Sequence, residues 1–144
     1  NCARIVAGFC WPWSEPKMDG SLVNDVKIEE FEMPWENKTK FWKWATDDSG
    51  MEQVGTVYTS QGMEFDYIAV IFGKDLVYDM EDKKWKSVPD TSYDTQVKRD
   101  KPNLTRHLKN VYRILMSRAH KGVYVYFMDK STENYFRSHL PKVE

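Results

Sequence analysis

At 144 residues, with a formal charge of −1 and 41% hydrophobic, 30% charged and 15% aromatic residues, the chain has the makeup of one folded domain, long enough to bury a core and too short for two. So many aromatics with so little net charge exclude a disordered segment, and the balanced total excludes a global basic field while leaving room for a local basic cleft. No apolar run approaches the ~20 residues of a membrane-spanning helix, and no signal peptide opens the sequence as given.

Taken in chain order, Arg4 to Cys10 predicts a short buried strand. Cys2 and Cys10 then lie on one face of one strand, over ~20 Å apart at ~3.3 Å per residue, too far for a disulfide. With no second Cys/His pair at metal-ligand spacing, they read as reduced core thiols of a cytoplasmic protein. The chain opens at Asn1 straight into this strand, as expected of a piece of a longer protein. "WPWSEP" breaks the run, and "VKIEEFEM" suggests an edge strand with a bulge at Glu29-Glu30. "PWENKTKFWKWATDDSG" is aromatic but irregular, with Trp42 and Trp44 on one face at strand spacing and in structural roles.

Val54 to Thr59 and Phe65 to Phe72 are predicted strands, the second nearly continuous in apolar residues, as suits a strand buried on both faces of a parallel sheet. Lys74 to Lys101 is charged and turn-rich. Within it "LVYDMEDKKWKSV" predicts a small exposed hairpin turning at Asp79 to Lys83, its charged run "DMEDKKWK" solvated. Pro102 introduces the strongest helix, with Leu104, Leu108, Val111 and Leu115 at helical spacing, His120 and Lys121 in its last turn and Gly122 as its stop. Val123 to Phe127 is again a strand and Ser131 to Leu140 a C-terminal helix. Helix followed by strand argues an α/β fold with a mainly parallel sheet flanked by helices.

Ligands of parallel α/β sheets sit at the carboxyl ends of strands. The first candidate is therefore the turn after Thr59, with Ser60, Gln61, Gly62 and Glu64, whose backbone N–H groups and glycine allow close approach. The same residues also suit a plain turn with Glu64 in water. The second candidate is Arg118, within about 20° of Val111 on a helical wheel and so on the apolar stripe, where a charge must be paired or reach into a cleft. An arginine stabilising a helix C-terminus by ~0.3–1 kcal/mol explains its position along the helix but not its face. Six tryptophans invite base stacking; Trp11 and Trp13 also suit core or interdomain packing. Among the histidines, His107 reads as packed in the core, and neither it nor His120 or His139 has a visible nucleophile or metal partner.

Together the two candidates resemble motifs V and VI of the second RecA-like domain of superfamily 1 helicases. Thr56 to Phe65, "TVYTSQGMEF", follows motif V with Tyr58 where histidine is usual, and Met116, Ser117, Arg118 and Ala119 match the end of motif VI. "RIVAGFCWPWS", "MPWEN", "VGTVYTSQGMEFDYIAVIFGKDLVYD" and "KNVYRILMSRAHKGVYVYFMD" are similar to the bacterial Schlafen group 3-like helicase-domain family over nearly the whole chain.

The resemblance implies a C-terminal RecA-like domain over residues 1–144, with an insertion over 73–102 carrying the hairpin. Arg118 would be an arginine finger on the transferring γ-phosphoryl group. Glu64 would lie near ribose and metal, with Gln61 and Gly62 at the nucleotide, and Tyr58, Thr59 and Ser60 coupling that site to single-stranded DNA or RNA. Arg113 stands where motif VI usually has an aromatic, with Tyr112 one place earlier. No G-x-x-x-x-G-K-[ST] occurs, so the phosphate cradle for ATP and Mg2+ belongs to an upstream RecA-like partner domain. The chain alone is expected to hold neither cofactor tightly and no metal of its own. The reading is thus half of an ATP-dependent helicase or translocase; the alternative is a RecA-like binding or regulatory module without hydrolysis.

Overall fold

The computed structural model describes residues 2–142, so residues 1, 143 and 144 of the expected domain lie outside it. Four parallel strands form the central sheet in the order β4-β1-β5-β8: β1 Ala3–Ala7, β4 Val54–Gly55, β5 Phe65–Phe72 and β8 Ala119–Phe127. The fold is the expected mainly parallel α/β arrangement. β5 is the long central strand, pairing on one side with β1 (Val6 beside Val70) and on the other with β8 (Val70 beside Val125). Its β-branched run suits this place, because both neighbours shield it and alternate side chains enter two separate cores.

Helices α2 (Leu104–Met116) and α3 (Lys130–His139) contribute to the core on one face. Leu104, Leu108, Tyr112 and Leu115 of α2 join Val6, Ile68, Val70 and Phe72 there, with the Tyr112 and Phe72 rings stacked at 3.8 Å. α3 begins where the Asp129 carboxylate accepts from the backbone N–H of Thr132, an N-cap that satisfies one orphan donor of the first turn. The second core gathers Ala7, Ile71, Val54, Val26 and Trp35 beneath an antiparallel hairpin of β2 (Val26–Ile28) and β3 (Phe31–Met33).

Several local expectations change. "VKIEEFEM" is not one bulged edge strand but this hairpin, turning at Glu29-Glu30 with Glu29 at φ 52°. β1 stops at Ala7, so Cys2 and Cys10 do not share a strand, although both are free thiols; Cys10 follows a turn in which its N–H bonds to Gly8 O. Trp42 and Trp44 lie at a 3-10 turn instead of a strand, which sends Trp44 inside and leaves Trp42 exposed. Gly55 is required at its place, since a Cβ there would sit 2.2 Å from the Trp44 ring.

The predicted strand Val54 to Thr59 ends after Gly55, and Val57–Ser60 forms one helical turn, α1. The predicted long helix ends at Met116; His120, Lys121 and Gly122 belong to β8, where backbone pairing with β5 overrides helical continuation. His107 is not a packed core residue: it is half-exposed and bonded to Asp100 at 2.9 Å. The hairpin of β6 (Leu76–Asp79) and β7 (Lys84–Ser87) forms as predicted. It is not fully solvated, because Trp85 packs against Phe72, Tyr135 and Phe136.

Candidate functional site

The expectation of a site after a strand's carboxyl end is corrected by the chain path. With β4 so short, the α1 turn and Gln61 to Met63 carry the chain back to the amino end of β5. Gly62 takes φ +82°, a left-handed conformation that a glycine adopts without strain, and Gln61, Gly62, Met63 and Glu64 are all exposed. Phe65 pairs with Ala119 at the start of β8, and the Phe65 N–H donates to the Arg118 carbonyl at 2.9 Å. Sheet pairing therefore joins the two candidate motifs at one edge.

At that edge His120 meets Glu64 at 3.0 Å, and Lys121 meets Asp66 at 3.0 Å. The Asp66 carboxylate also accepts from the Cys2 N–H, and together these contacts hold it below the usual carboxylate range, the Lys121 bond most. Arg118 sits in the link between α2 and β8, so the helical-wheel argument does not apply to it; its half-buried position comes from the turn. One of its terminal nitrogens donates to Ser117 Oγ at 3.0 Å. Among the described residues its buried Nε has no hydrogen-bond partner and Arg118 forms no ion pair. An orphaned buried donor on a permanent cation is costly unless an anion reaches it.

The motif V side chains diverge. Tyr58 is partly exposed, and its hydroxyl donates to Asp94 at 2.6 Å; burial first, then Asp94, pushes its pKa up. Ser60 is buried, and the Thr59 hydroxyl donates to Glu36 Oε1, as does Thr56 at 3.1 Å. Glu36 is the residue that spacing did not single out. Residues 34–36 run parallel beside β4, with Val54 N–H on Pro34 O and Glu36 N–H on Val54 O, which drops a fully buried carboxylate beneath α1. Its Oε2 has no partner among the described residues, and burial raises its pKa to about 7, the two threonine hydroxyls opposing that only in part. The available signal was an acid wedged into "MPWEN", between a tryptophan and a chain reversal.

A second buried polar group lies beyond the carboxyl ends of β1 and β5. The Tyr112 hydroxyl donates to Asp75 and accepts from the Gly73 N–H, while burial raises the pKa values of Asp75, Tyr112 and Cys10 together. Tyr112, singled out only for its shifted motif position, is thus a core residue. Trp11 and Trp13 pack around Trp35, and each of the three indole N–H groups reaches a backbone carbonyl.

The described residues hold no helix long and apolar enough to cross a membrane. No solved structure matches the chain. A protein of Saccharomyces cerevisiae, described as uncharacterized protein YPL245W, is 27% identical over 135 residues, covering 88% of this chain. The chain spans 29% of that relative's length. The family described as Schlafen group 3, DNA/RNA helicase domain, matches residues 1–129, which take in both motifs, the Glu36 clamp and the entire sheet. The chain belongs to this Schlafen group 3 helicase-domain family.

Proposed function

We propose that the chain is the C-terminal RecA-like half of an ATP-dependent, superfamily 1-like helicase or nucleic-acid translocase, acting in the cytoplasm. The observation that carries this reading is Arg118, a half-buried cation whose Nε has no partner, placed beside Glu64 at one edge of the sheet. Its place at the amino ends of β5 and β8 suits an arginine supplied in trans to a nucleotide held by another domain. In that role it stabilises charge on the transferring γ-phosphoryl group, and its free donor supplies the contact without first breaking an ion pair.

ATP and Mg2+ would be held by a P-loop-bearing domain upstream, because no P-loop occurs in this sequence. Gln61, Gly62 and Glu64 are exposed and near the same edge, suited to line the shared cleft. Tyr58 presents an exposed ring for a nucleic-acid strand. Thr59 and Ser60 act through position: anchored by Glu36 and by burial, they set the geometry of the turn between cleft and strand. The insertion over residues 73–102 is an elaboration between the two motifs.

The test is ATP turnover by the intact protein, with and without single-stranded DNA or RNA, in wild type and Arg118→Ala. Strand-stimulated turnover that drops ~10³–10⁵-fold on substitution supports the arginine finger. Turnover that survives makes Arg118 a structural charge. A wild type without turnover leaves a RecA-like binding or regulatory module.

A further inference from the structure

The near-neutral total conceals a strongly basic segment. Residues 97–113 hold six lysines and arginines against one acid, Asp100, a local net charge of +5 in a chain of −1. Within it Arg106, Lys109, Asn110 and Arg113 recur at three- and four-residue spacing, so they share the side of α2 opposite buried Leu108 and Leu115. All four are exposed. A groove follows this side, and its walls carry these three cations, two asparagines and a threonine, with no carboxylate. Arg106, Lys109 and Arg113 form no ion pair among the described residues.

A second depression adjoins the first and shares Lys109 and Arg113 with it. Trp85, Tyr135 and Phe136 wall it, above Phe72 and Leu76. The Trp85 and Tyr135 rings meet edge-on at 5.2 Å, and both are half-buried, Tyr135 having Tyr78 stacked on it at 3.8 Å. A cationic track beside an aromatic wall is the combination that binds single strands: cations neutralise the backbone, and unpaired bases stack on rings. From Arg106 to Arg113 the helix rises about 10 Å, room for two to three successive phosphates. An unpaired base can reach the aromatic wall, whereas a base held inside a duplex cannot.

We infer that this joined groove binds single-stranded nucleic acid, with the phosphodiester backbone along Arg106, Lys109 and Arg113 and a base against the Trp85–Tyr135 wall. The assignment rests on the nucleic-acid reading above but uses none of its site residues. Tyr112 is committed to the core through Asp75 and Gly73, which leaves Arg113 at the next position facing solvent and able to carry charge.

The test uses the intact protein without nucleotide, as wild type, Arg118→Ala and the triple variant Arg106→Gln/Lys109→Gln/Arg113→Gln. Fluorescence anisotropy follows labelled oligo-dT, oligo-U and a DNA duplex across a salt series, with thermal melting as the check on folding. The triple variant is expected to fold normally, to bind single strands more than ~10-fold more weakly, and to lose about 2 from the log–log salt slope, at ~0.7 per phosphate contact. Arg118→Ala should keep the wild-type slope. An unchanged slope in the triple variant, or a loss seen only with duplex, overturns the groove and leaves the motor reading intact. A wild type that binds no single strand overturns the groove together with the nucleic-acid reading beneath it.

Discussion

Two arginines, one in the sheet and one beside it, have surroundings that differ in kind. Arg4, on β1, is buried, and its guanidinium donates to four backbone carbonyls: Ala3 at 2.7 Å, Trp44 at 2.7 Å, Ala45 at 3.1 Å and Asp47 at 2.9 Å. It pins the irregular 41–50 segment to the sheet with its hydrogen bonds made internally. Arg118, beside the amino end of β8, has one bond to a neighbouring serine and a buried donor without an acceptor. A cation that the fold satisfies is structural; one that it leaves wanting is costly within the domain, and the proposed function gives it a phosphate to meet.

The sharpest way to break this comparison is turnover. Arg118→Ala should cost ~10³–10⁵ in kcat of the intact protein while leaving its melting temperature nearly unchanged. Arg4→Met should do the reverse. It strands buried carbonyls and should lower the unfolding free energy by roughly 3 kcal/mol, read by urea titration, with turnover per folded molecule retained. If both variants lose stability alike, the distinction between the two regions fails.

Glu36 sharpens the comparison by pH. Its carboxyl, raised to about 7 by burial, holds a proton in the folded protein where the unfolded chain, at the ordinary 4.5, has lost it. The stability it contributes is therefore fully present below pH 4.5 and lost as pH rises through about 7. The loss is of order 3 kcal/mol. Urea midpoints between about pH 5 and about pH 8 should fall in wild type, and Glu36→Gln should flatten that fall. The smallest effect belongs to the exposed edge. His120→Ala removes the contact to Glu64, both side chains being over three-fifths exposed, and should change stability by less than ~1 kcal/mol. A larger loss would mean that this edge is part of the structural frame.

Much of this was legible in residue order. The β-branched run Phe65 to Phe72 reads as a shielded strand, and its bounds agree with β5 residue for residue. The 76–87 hairpin, the start of α2 after Pro102 and most of α3 follow from turn and periodicity signals that act within a few residues. Both helicase-like motifs were equally readable, being contiguous strings.

What sequence could not place were features decided by distant backbone. Val54 to Thr59 has strand-like residues, but Glu36, brought alongside by Trp35 pairing with Val54, accepts the Thr56 and Thr59 hydroxyls and accompanies a helical turn at 57–60. Ala119 to Gly122 continues a helical pattern, yet β5 offers it a ladder and ends the helix at Met116. The α2 groove needs Trp85 from one hairpin and Tyr135 from another helix. The sequence by itself determined which segments were apolar, capped or charged, because those properties are local. Only the tertiary structure decided which arginine is satisfied and which keeps a buried donor without an acceptor among the described residues, because that depends on carbonyls and hydroxyls up to 43 residues away.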